Sequence, residues 1–114
     1  MNKPVICVDF DGVLNNYKGW KGKNELYTPR KGVREFLETL SIKYTIVIFT
    51  IRNRDKVIEW LEKYNLDIFI KEVTDIKVGA VAYIDDRGLK FNGAYVETLS
   101  ELNDFKTHWE KELD

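Results

Sequence analysis

The sequence predicts an α/β fold built on a doubly wound parallel sheet, and three features of the chain support this prediction. Four short apolar runs are separated by longer segments, two of which carry the apolar spacing of amphipathic helices. The runs are apolar at consecutive positions, as expected for strands buried on both faces of a parallel sheet. A chain of 114 residues, 44% of them apolar, has room for one domain of this kind, spanning residues 1–114.

The first strand is predicted over Val5–Val8, an unbroken and mostly β-branched run. It ends abruptly in the turn 9–12, whose sequence is Asp-Phe-Asp-Gly. Between Asn15 and Thr28 the apolar periodicity is lost, and lysines and glycines surround Trp20. We therefore expect a loop or a small hairpin between the first strand and the first helix.

The first helix is predicted to begin at Thr28-Pro29, because proline is favoured at the first helical position. Apolar residues then recur at the i, i+3, i+4, i+7 spacing of a helix that faces a core. These residues are Val33, Phe36, Leu37 and Leu40.

The second strand is predicted over Tyr44–Thr50, where the apolar residues are again consecutive. A second amphipathic helix is predicted from Asn53 or Arg54 to Tyr64. Asn65 is placed to end that helix in a left-handed turn.

Two further strands are predicted from the apolar runs Ile68–Ile70 and Ala80–Ile84. The fourth run resembles the first because acidic residues stop it, here Asp85 and Asp86. A last amphipathic helix is predicted to begin at Thr98, where a capping-box pattern precedes an apolar face.

The composition limits the class of protein. Basic residues number 18 and acidic residues 19, so the net charge of -1 excludes a domain-wide basic field for nucleic acid. A single cysteine excludes an internal disulfide and favours a reducing compartment. The apolar runs are too short for a signal peptide or a membrane span. We therefore expect a cytoplasmic protein without a membrane partner, and oligomerisation is compatible with this composition.

Carboxylates follow two of the predicted strands: Asp9 and Asp11 follow the first, and Asp85 and Asp86 follow the fourth. Residues beyond the carboxyl ends of parallel strands converge on one crevice. Carboxylates brought so close repel one another unless a cation or a shared proton offsets their charge. Oxygen ligands without a His or Cys cluster favour Mg²⁺, which commonly bridges to phosphate. The sequence therefore predicts a site for Mg²⁺ and a phosphoryl group.

The Asp9-Phe10-Asp11 spacing is also suited to chemistry, because residues i and i+2 of an extended segment face the same side. One carboxylate could attack as a nucleophile to form an aspartyl-phosphate, while the other exchanges protons. Gly12 would allow the sharp turn that the backbone then needs.

Other polar residues are predicted to line the same crevice. Thr50 and Arg52 follow the second strand, and Lys77 precedes the fourth. A cation at a helix start opposes the helix dipole, so Arg52 suggests an anionic ligand. Trp20, in its lysine-rich loop, is a candidate for substrate contact.

Four segments, taken in order, resemble the motifs of the haloacid dehalogenase (HAD) superfamily, whose commonest members are Mg²⁺-dependent phosphatases. They are Asp9-Phe10-Asp11-Gly12-Val13-Leu14, Ile48-Phe49-Thr50, Lys77 and Tyr83-Ile84-Asp85-Asp86-Arg87. The resemblance implies a HAD-like Rossmannoid core, and the short intervals between the motifs resemble the subclass without a cap domain. Within that subclass, the segments Ile84-Asp85-Asp86-Arg87 and Thr50-Ile51-Arg52 resemble those of small phage and bacterial members and, more distantly, those of the phosphatase domain of polynucleotide kinase-phosphatase.

The resemblance implies a role for each matching residue. Asp9 would be the phosphoryl-accepting nucleophile and Asp11 the general acid/base, while Thr50 would hydrogen-bond the phosphoryl oxygens. Lys77 or Lys71 would neutralise those oxygens, since Lys77 is not followed here by the proline that such relatives often carry.

The same resemblance implies the ligands of Mg²⁺. They would be the carboxylate of Asp9, the main-chain carbonyl of Asp11, and the acids of the last motif. Neighbouring side chains on a strand point apart, so only one of Asp85 and Asp86 would contact the ion directly.

The expected function is hydrolysis of a phosphomonoester by a Mg²⁺-dependent phosphatase. The alternative is a catalytically weak phosphate-binding or regulatory module on the same fold. A receiver-like phosphoacceptor domain fits less well, because there the acid pair and the phosphoacceptor lie on different strands. Without a cap, an open crevice beside Trp20 and its lysines suits a nucleotide or a polynucleotide terminal phosphate.

Overall fold

The computed structural model describes residues 3–19, 26–76 and 78–84, together with Tyr95 and Leu99. In this part of the chain four strands form one sheet, and each strand pair is parallel. The strands are β1 (Val5–Asp9), β2 (Thr45–Phe49), β3 (Ile70–Thr74) and β4 (Ala82–Ile84), in the spatial order β3-β2-β1-β4. The α/β class predicted from the sequence is therefore confirmed.

β1 and β2 form the centre of the sheet and pair in register, from Val5 opposite Thr45 to Asp9 opposite Phe49. In each of these strands three consecutive residues are buried. Because successive side chains of a strand point to opposite faces, both faces of the sheet are covered there. The strand order also reverses at β1, since the chain advances to β3 on one side and returns to β4 on the other.

Two helices connect the first three strands: α1 (Val33–Lys43) lies between β1 and β2, and α2 (Arg54–Lys63) between β2 and β3. Right-handed crossovers in this strand order would put both helices on one face of the sheet. A doubly wound fold needs helices on the other face as well, and the predicted last helix lies outside the described residues apart from Leu99. The doubly wound arrangement and the lack of a cap therefore stay predictions.

The start of α1 differs from its prediction. The helix begins at Val33 and not at Pro29. Pro29 pairs with Asn15 in an isolated antiparallel bridge, and the Arg30 N–H donates to the Leu14 carbonyl at 2.9 Å. This pairing with a distant segment overrides the local preference of proline for a helix start. The predicted apolar stripe is confirmed, because its members are buried: Val33, Phe36, Leu37 and Leu40.

The prediction for α2 is confirmed at both ends. Its N-cap is Asn53, whose side chain accepts the Lys56 N–H at 3.2 Å. Asn65 follows the helix with φ 56°, in the left-handed region that asparagine tolerates better than most residues. No helix among the described residues has both the length and the apolar character needed to cross a membrane.

The third strand lies further along the chain than predicted. Asp67–Phe69 form a short 3-10 turn on which Ile68 is exposed, and β3 begins at Ile70. Within β3 only Val73 is buried. β3 is an edge strand of the described sheet, so it buries few apolar side chains and carries a weak hydrophobic pattern. The fourth strand is confirmed over the last three residues of the run predicted for it.

One apolar core lies between the sheet and the helices. Phe10 packs edge to face on Trp60 of α2, with the ring centroids 4.9 Å apart. The Tyr95 ring stacks on the Phe36 ring of α1, with the ring centroids 4.4 Å apart, and the Tyr95 hydroxyl donates to the Val13 carbonyl. Tyr95 therefore joins a distant part of the chain to the turn that follows β1.

Burial raises the pKa of Tyr95 from 10.0 to about 12, against the opposing effect of the Arg30 guanidinium. The unfolded chain therefore releases this proton at a lower pH than the folded chain does. The stabilising effect of the protonated phenol is fully present below pH 10.0 and is lost as the pH rises through about 12. We expect the free energy of unfolding, measured by urea denaturation at fixed pH, to fall over this interval.

Tyr95→Phe is the variant that isolates this effect. It removes the titrating hydroxyl, so its unfolding free energy should fall less steeply between pH 10.0 and about 12 than that of the wild type. All other groups are common to both proteins, so their contributions cancel in the difference. Identical pH slopes for the two proteins would contradict the burial of this hydroxyl.

Candidate active site

The site residues predicted from the sequence fall into two groups. The structure describes those at the carboxyl ends of β1 and β2, whereas the others lie outside the described residues. The first group is Asp9, Asp11, Gly12, Thr50 and Arg52, and the second is Trp20, Lys77, Asp85 and Asp86. The geometry of the first group is therefore the part of the predicted site that the structure provides.

Asp9 and Thr50 lie at the carboxyl ends of the two central strands. Asp9 is the last residue of β1, opposite Phe49, and Thr50 directly follows β2. The Oδ1 atom of Asp9 accepts the Phe10 N–H at 2.9 Å, which limits rotation of the carboxylate. Thr50 is buried, and its Oγ1 accepts the Arg52 N–H at 3.1 Å. A hydroxyl that accepts such a bond can still donate its own proton to a ligand.

A tight turn directs the chain away from the sheet after Asp9. Gly12 has φ 80°, in the left-handed region that an L-residue enters only with strain. The Leu14 N–H donates to the Phe10 carbonyl at 2.9 Å and closes the turn. A Cβ at Gly12 would meet no atom within 4 Å, so the backbone dihedral, and not the available space, favours glycine here. The sharp turn that the sequence predicts at Gly12 is present.

Asp11 and Arg52 form an ion pair between the segments that follow β1 and β2. The Arg52 Nε–H donates to both oxygens of the Asp11 carboxylate, at 2.9 Å to Oδ1 and 2.8 Å to Oδ2. The Arg52 side chain is 0% exposed and that of Asp11 is 21% exposed. A guanidinium buried to this extent requires negative charge nearby, and Asp11 supplies it. The sequence did not predict this pair, and contact of Arg52 with a substrate stays a prediction.

Asn15 is a buried polar residue of the site that sequence reasoning missed. Its Oδ1 accepts the Gly12 N–H at 2.9 Å, and its Nδ2 donates to Oδ1 of Asp11 at 3.1 Å. Asn15 and Arg52 thus hold the same carboxylate from two different segments of the chain. The signal in the sequence is an asparagine four residues after Asp11 in a polar turn, a spacing that many solvated turns share.

The position of Lys71 bears on which lysine would bind a phosphoryl group. Lys71 is the second residue of β3, whereas Thr74, at the other end of that strand, lies level with Phe49. At about 3.3 Å per residue, Lys71 is roughly 10 Å from the edge of the sheet where Asp9 lies. Lys77 lies outside the described residues, so the choice between Lys77 and Lys71 stays a prediction.

A cleft of about 520 Å³ opens beyond the carboxyl ends of β2 and β3, beside the start of α2. Its charged lining residues are two arginines and three acids: Arg52, Arg54, Asp55, Glu72 and Asp75. The Nε–H of Arg54 donates to the Val73 carbonyl at 2.9 Å, which holds this guanidinium at the rim. The volume suits a small organic ligand, whereas the mixed charges do not form a basic surface for a polyanion.

Oxygen atoms are the candidate metal donors in the described part of the site. Within residues 3–19, 26–76 and 78–84, no group of three or more acidic, histidine or cysteine side chains is arranged to hold a metal. Asp85 and Asp86, on which the predicted Mg²⁺ site depends, lie outside these ranges. The Mg²⁺ site therefore stays a prediction.

Comparison with known proteins does not add a family to this description: no family model, no curated protein and no solved structure matches the chain. The resemblance to the HAD superfamily therefore depends on the four motifs of the sequence. The described residues place Asp9, the ion pair of Asp11 with Arg52, and the Thr50 hydroxyl at the carboxyl ends of the two central strands of a parallel sheet.

We expect Gly12→Ala to lower the free energy of unfolding by about 1–2 kcal/mol, because alanine would have to adopt the left-handed conformation. Urea denaturation followed by circular dichroism measures this change. Gly79→Ala is the matched control, since its Cβ would also meet no atom within 4 Å and its φ is not positive. The control should be neutral or more stable by about 0.4–1 kcal/mol. Equal losses in the two variants would contradict a strain specific to Gly12.

Proposed function

We propose that this chain is a Mg²⁺-dependent phosphatase that hydrolyses phosphomonoesters through Asp9. The observation that carries the proposal is the arrangement at the ends of the two central strands. Asp9 ends β1, Asp11 follows it in an ion pair with Arg52, and the Thr50 hydroxyl follows β2. A nucleophile, a proton-exchanging carboxylate and a donor for phosphoryl oxygens would thus share one edge of the sheet.

In the proposed first step, a carboxylate oxygen of Asp9 attacks the phosphorus atom of the substrate. The bond from phosphorus to the ester oxygen breaks, and its electron pair leaves with that oxygen. Asp11 acts in this step in its protonated form, in which Oδ1 still accepts hydrogen bonds from Arg52 and Asn15 but the carboxyl no longer offsets the Arg52 charge, and it donates the proton that converts the leaving group to an alcohol. The Thr50 hydroxyl donates a hydrogen bond to a phosphoryl oxygen during the transfer. The product of this step is an aspartyl-phosphate on Asp9 and a free alcohol.

In the second step, water attacks the phosphorus atom of the aspartyl-phosphate. Asp11, now a carboxylate, takes a proton from this water, and the bond between phosphorus and the Asp9 oxygen breaks with its electron pair returning to Asp9. Inorganic phosphate is released and both aspartates regain their starting forms. A single carboxylate at the position of Asp11 therefore acts first as acid and then as base.

The residue types at the site are compatible with Mg²⁺. The oxygen donors that the resemblance implies at the end of β1 are the main-chain carbonyl of Asp11 and the Asp9 carboxylate, whereas the Asp11 carboxylate is engaged by Arg52 and Asn15. Asp86 or Asp85 would complete the set of protein ligands. Mg²⁺ bound there would offset the charge of the carboxylates and of the phosphoryl oxygens.

For the substrate we propose a nucleotide or the terminal phosphate of a polynucleotide. The support is the lysine-rich segment around Trp20, predicted from the sequence to be a loop or a small hairpin, in which the Trp20 ring could stack on a base. The cleft beside β2 and β3 adds little to this choice, because its lining contains Asp55, Glu72 and Asp75 as well as arginines. A phosphorylated small molecule that fits a cleft of about 520 Å³ is therefore the comparison substrate for a specificity screen.

The test of the proposed function is release of inorganic phosphate from an aryl phosphate in the presence of Mg²⁺. We expect Asp9→Asn to reduce kcat/KM by at least about 10³-fold, because an amide cannot attack phosphorus although it has nearly the same size. Asp67→Asn makes the same chemical change on the exposed 3-10 turn and should leave the rate unchanged. An Asp9→Asn protein as active as Asp67→Asn would exclude Asp9 as the nucleophile.

Removal of divalent metal is the second test. We expect chelation to abolish phosphate release and added Mg²⁺ to restore it, because the carboxylates need a cation to accept an anionic substrate. Circular dichroism before and after chelation separates loss of metal from loss of fold. Full activity in excess chelator would contradict the metal requirement, and phosphate binding without any turnover would favour the alternative of a phosphate-binding module.

A further inference from the structure

We propose that Asn15 is a positioning residue for Asp11, and that it holds the carboxylate in the orientation needed for proton transfer to the leaving group. This inference depends on the proposed function, because it assigns to Asn15 an effect on the chemistry of Asp11. No role for Asn15 was predicted from the sequence, in which it lies just beyond the motif segment 9–14.

The hydrogen bonds of Asn15 fix which way its side-chain amide faces. Its Oδ1 accepts the Gly12 N–H at 2.9 Å, and a main-chain N–H can only donate. The NH₂ group must therefore point the other way, where it donates to Oδ1 of Asp11 at 3.1 Å. The Asn15 residue is 0% exposed, so water does not compete for these bonds.

Asn15 makes the two oxygens of the Asp11 carboxylate unequal in the number of hydrogen bonds that they accept. Arg52 alone contacts them almost equally, at 2.9 Å to Oδ1 and 2.8 Å to Oδ2. The amide of Asn15 adds a second donor to Oδ1 but not to Oδ2, which leaves Oδ2 with room for a substrate oxygen or a water molecule. The Asp11 side chain is 21% exposed, so a ligand can reach it. Asn15 thus selects the oxygen that Asp11 presents.

The main chain of Asn15 is itself held by a distant segment. Asn15 forms an antiparallel bridge with Pro29, and the Asn16 N–H donates to the Thr28 carbonyl at 2.9 Å. On the other side of the bridge, the Arg30 N–H donates to the Leu14 carbonyl at 2.9 Å. The position of the Asn15 amide therefore depends on residues 28–30 as well as on the turn 9–12.

Asn16 supplies a matched control from the same bridge. Its side chain is an identical amide, but it donates to the Thr28 hydroxyl at 3.1 Å and to the Pro29 carbonyl at 3.0 Å. Loss of the Asn16 amide therefore weakens the bridge without removing a donor to Asp11. A role in which Asn15 merely stabilises the fold predicts similar kinetic effects of the two alanine variants.

The experiment measures kcat/KM for two phosphomonoesters in Mg²⁺: an alkyl phosphate, whose leaving oxygen needs a proton, and p-nitrophenyl phosphate, whose leaving oxygen does not. The parameter kcat/KM reports the steps up to formation of the phosphoenzyme, where Asp11 acts as an acid. We expect Asn15→Ala to lower it about 10- to 100-fold more for the alkyl ester than for the aryl ester. Asn16→Ala should leave the ratio of the two values unchanged.

Asn15→Ser is the second variant, in case alanine at this buried position prevents folding. Its hydroxyl can accept the Gly12 N–H, but it is too short to replace the amide at Asp11. It should retain a cooperative thermal transition and shift the ratio of the two kcat/KM values in the same direction. Adding Asn15→Ser to Asp11→Asn should have no further effect on this ratio, since the two residues would act through one carboxylate.

The outcomes separate this proposal from the proposed function. Equal losses on both esters in folded Asn15→Ala or Asn15→Ser would overturn the positioning role and leave the phosphatase intact. A further change of the ratio when Asn15→Ser is added to Asp11→Asn would overturn it as well. If the wild type releases phosphate from neither ester, the proposed function fails, and the role of Asn15 in proton transfer fails with it.

Discussion

The ion pair between Asp11 and Arg52 is the constraint on which the described edge of the sheet depends. The Arg52 side chain is 0% exposed, and a buried guanidinium is tolerated only where negative charge and hydrogen-bond acceptors face it. Asp11 provides both, although it follows β1 and Arg52 follows β2. Removing one member of such a pair leaves an uncompensated charge, which costs several kcal/mol as an order of magnitude. Asp11 therefore stabilises the fold in addition to its proposed role in proton transfer.

The same pair also fixes the positions of the two polar segments that follow β1 and β2. Parallel pairing brings Asp9 level with Phe49, so the chain segments that leave β1 and β2 start side by side. Each then needs an interaction that fixes its path beyond the sheet, and the ion pair joins the two segments there. Asn15 adds a contact from a third position, and the Thr50 hydroxyl accepts the Arg52 N–H. The polar groups thus restrain one another through direct contacts.

Local signals in the sequence were sufficient for β1, β2 and α2, where consecutive burial or an asparagine cap leaves a readable pattern. They failed where distant parts of the chain decide the structure. Pro29 is suited to a helix start, but it pairs with Asn15 in a β-bridge, and α1 begins only at Val33. At the site, the sequence indicated Asp11 and Arg52 individually. Their pairing was not predictable, because two residues 41 positions apart in the sequence have no characteristic spacing that would indicate a contact.

The edge position of β3 has a consequence for how copies of this chain meet in solution. An edge strand offers unpaired main-chain groups on which a strand from another molecule can add, and this addition is a common start of aggregation. In β3 the exposed positions carry Lys71 and Glu72, and a single residue, Val73, is buried. Charges at such positions must lose water when a second strand approaches. The weak apolar pattern, which made β3 difficult to predict from the sequence, thus also protects this edge of the described sheet against intermolecular strand pairing.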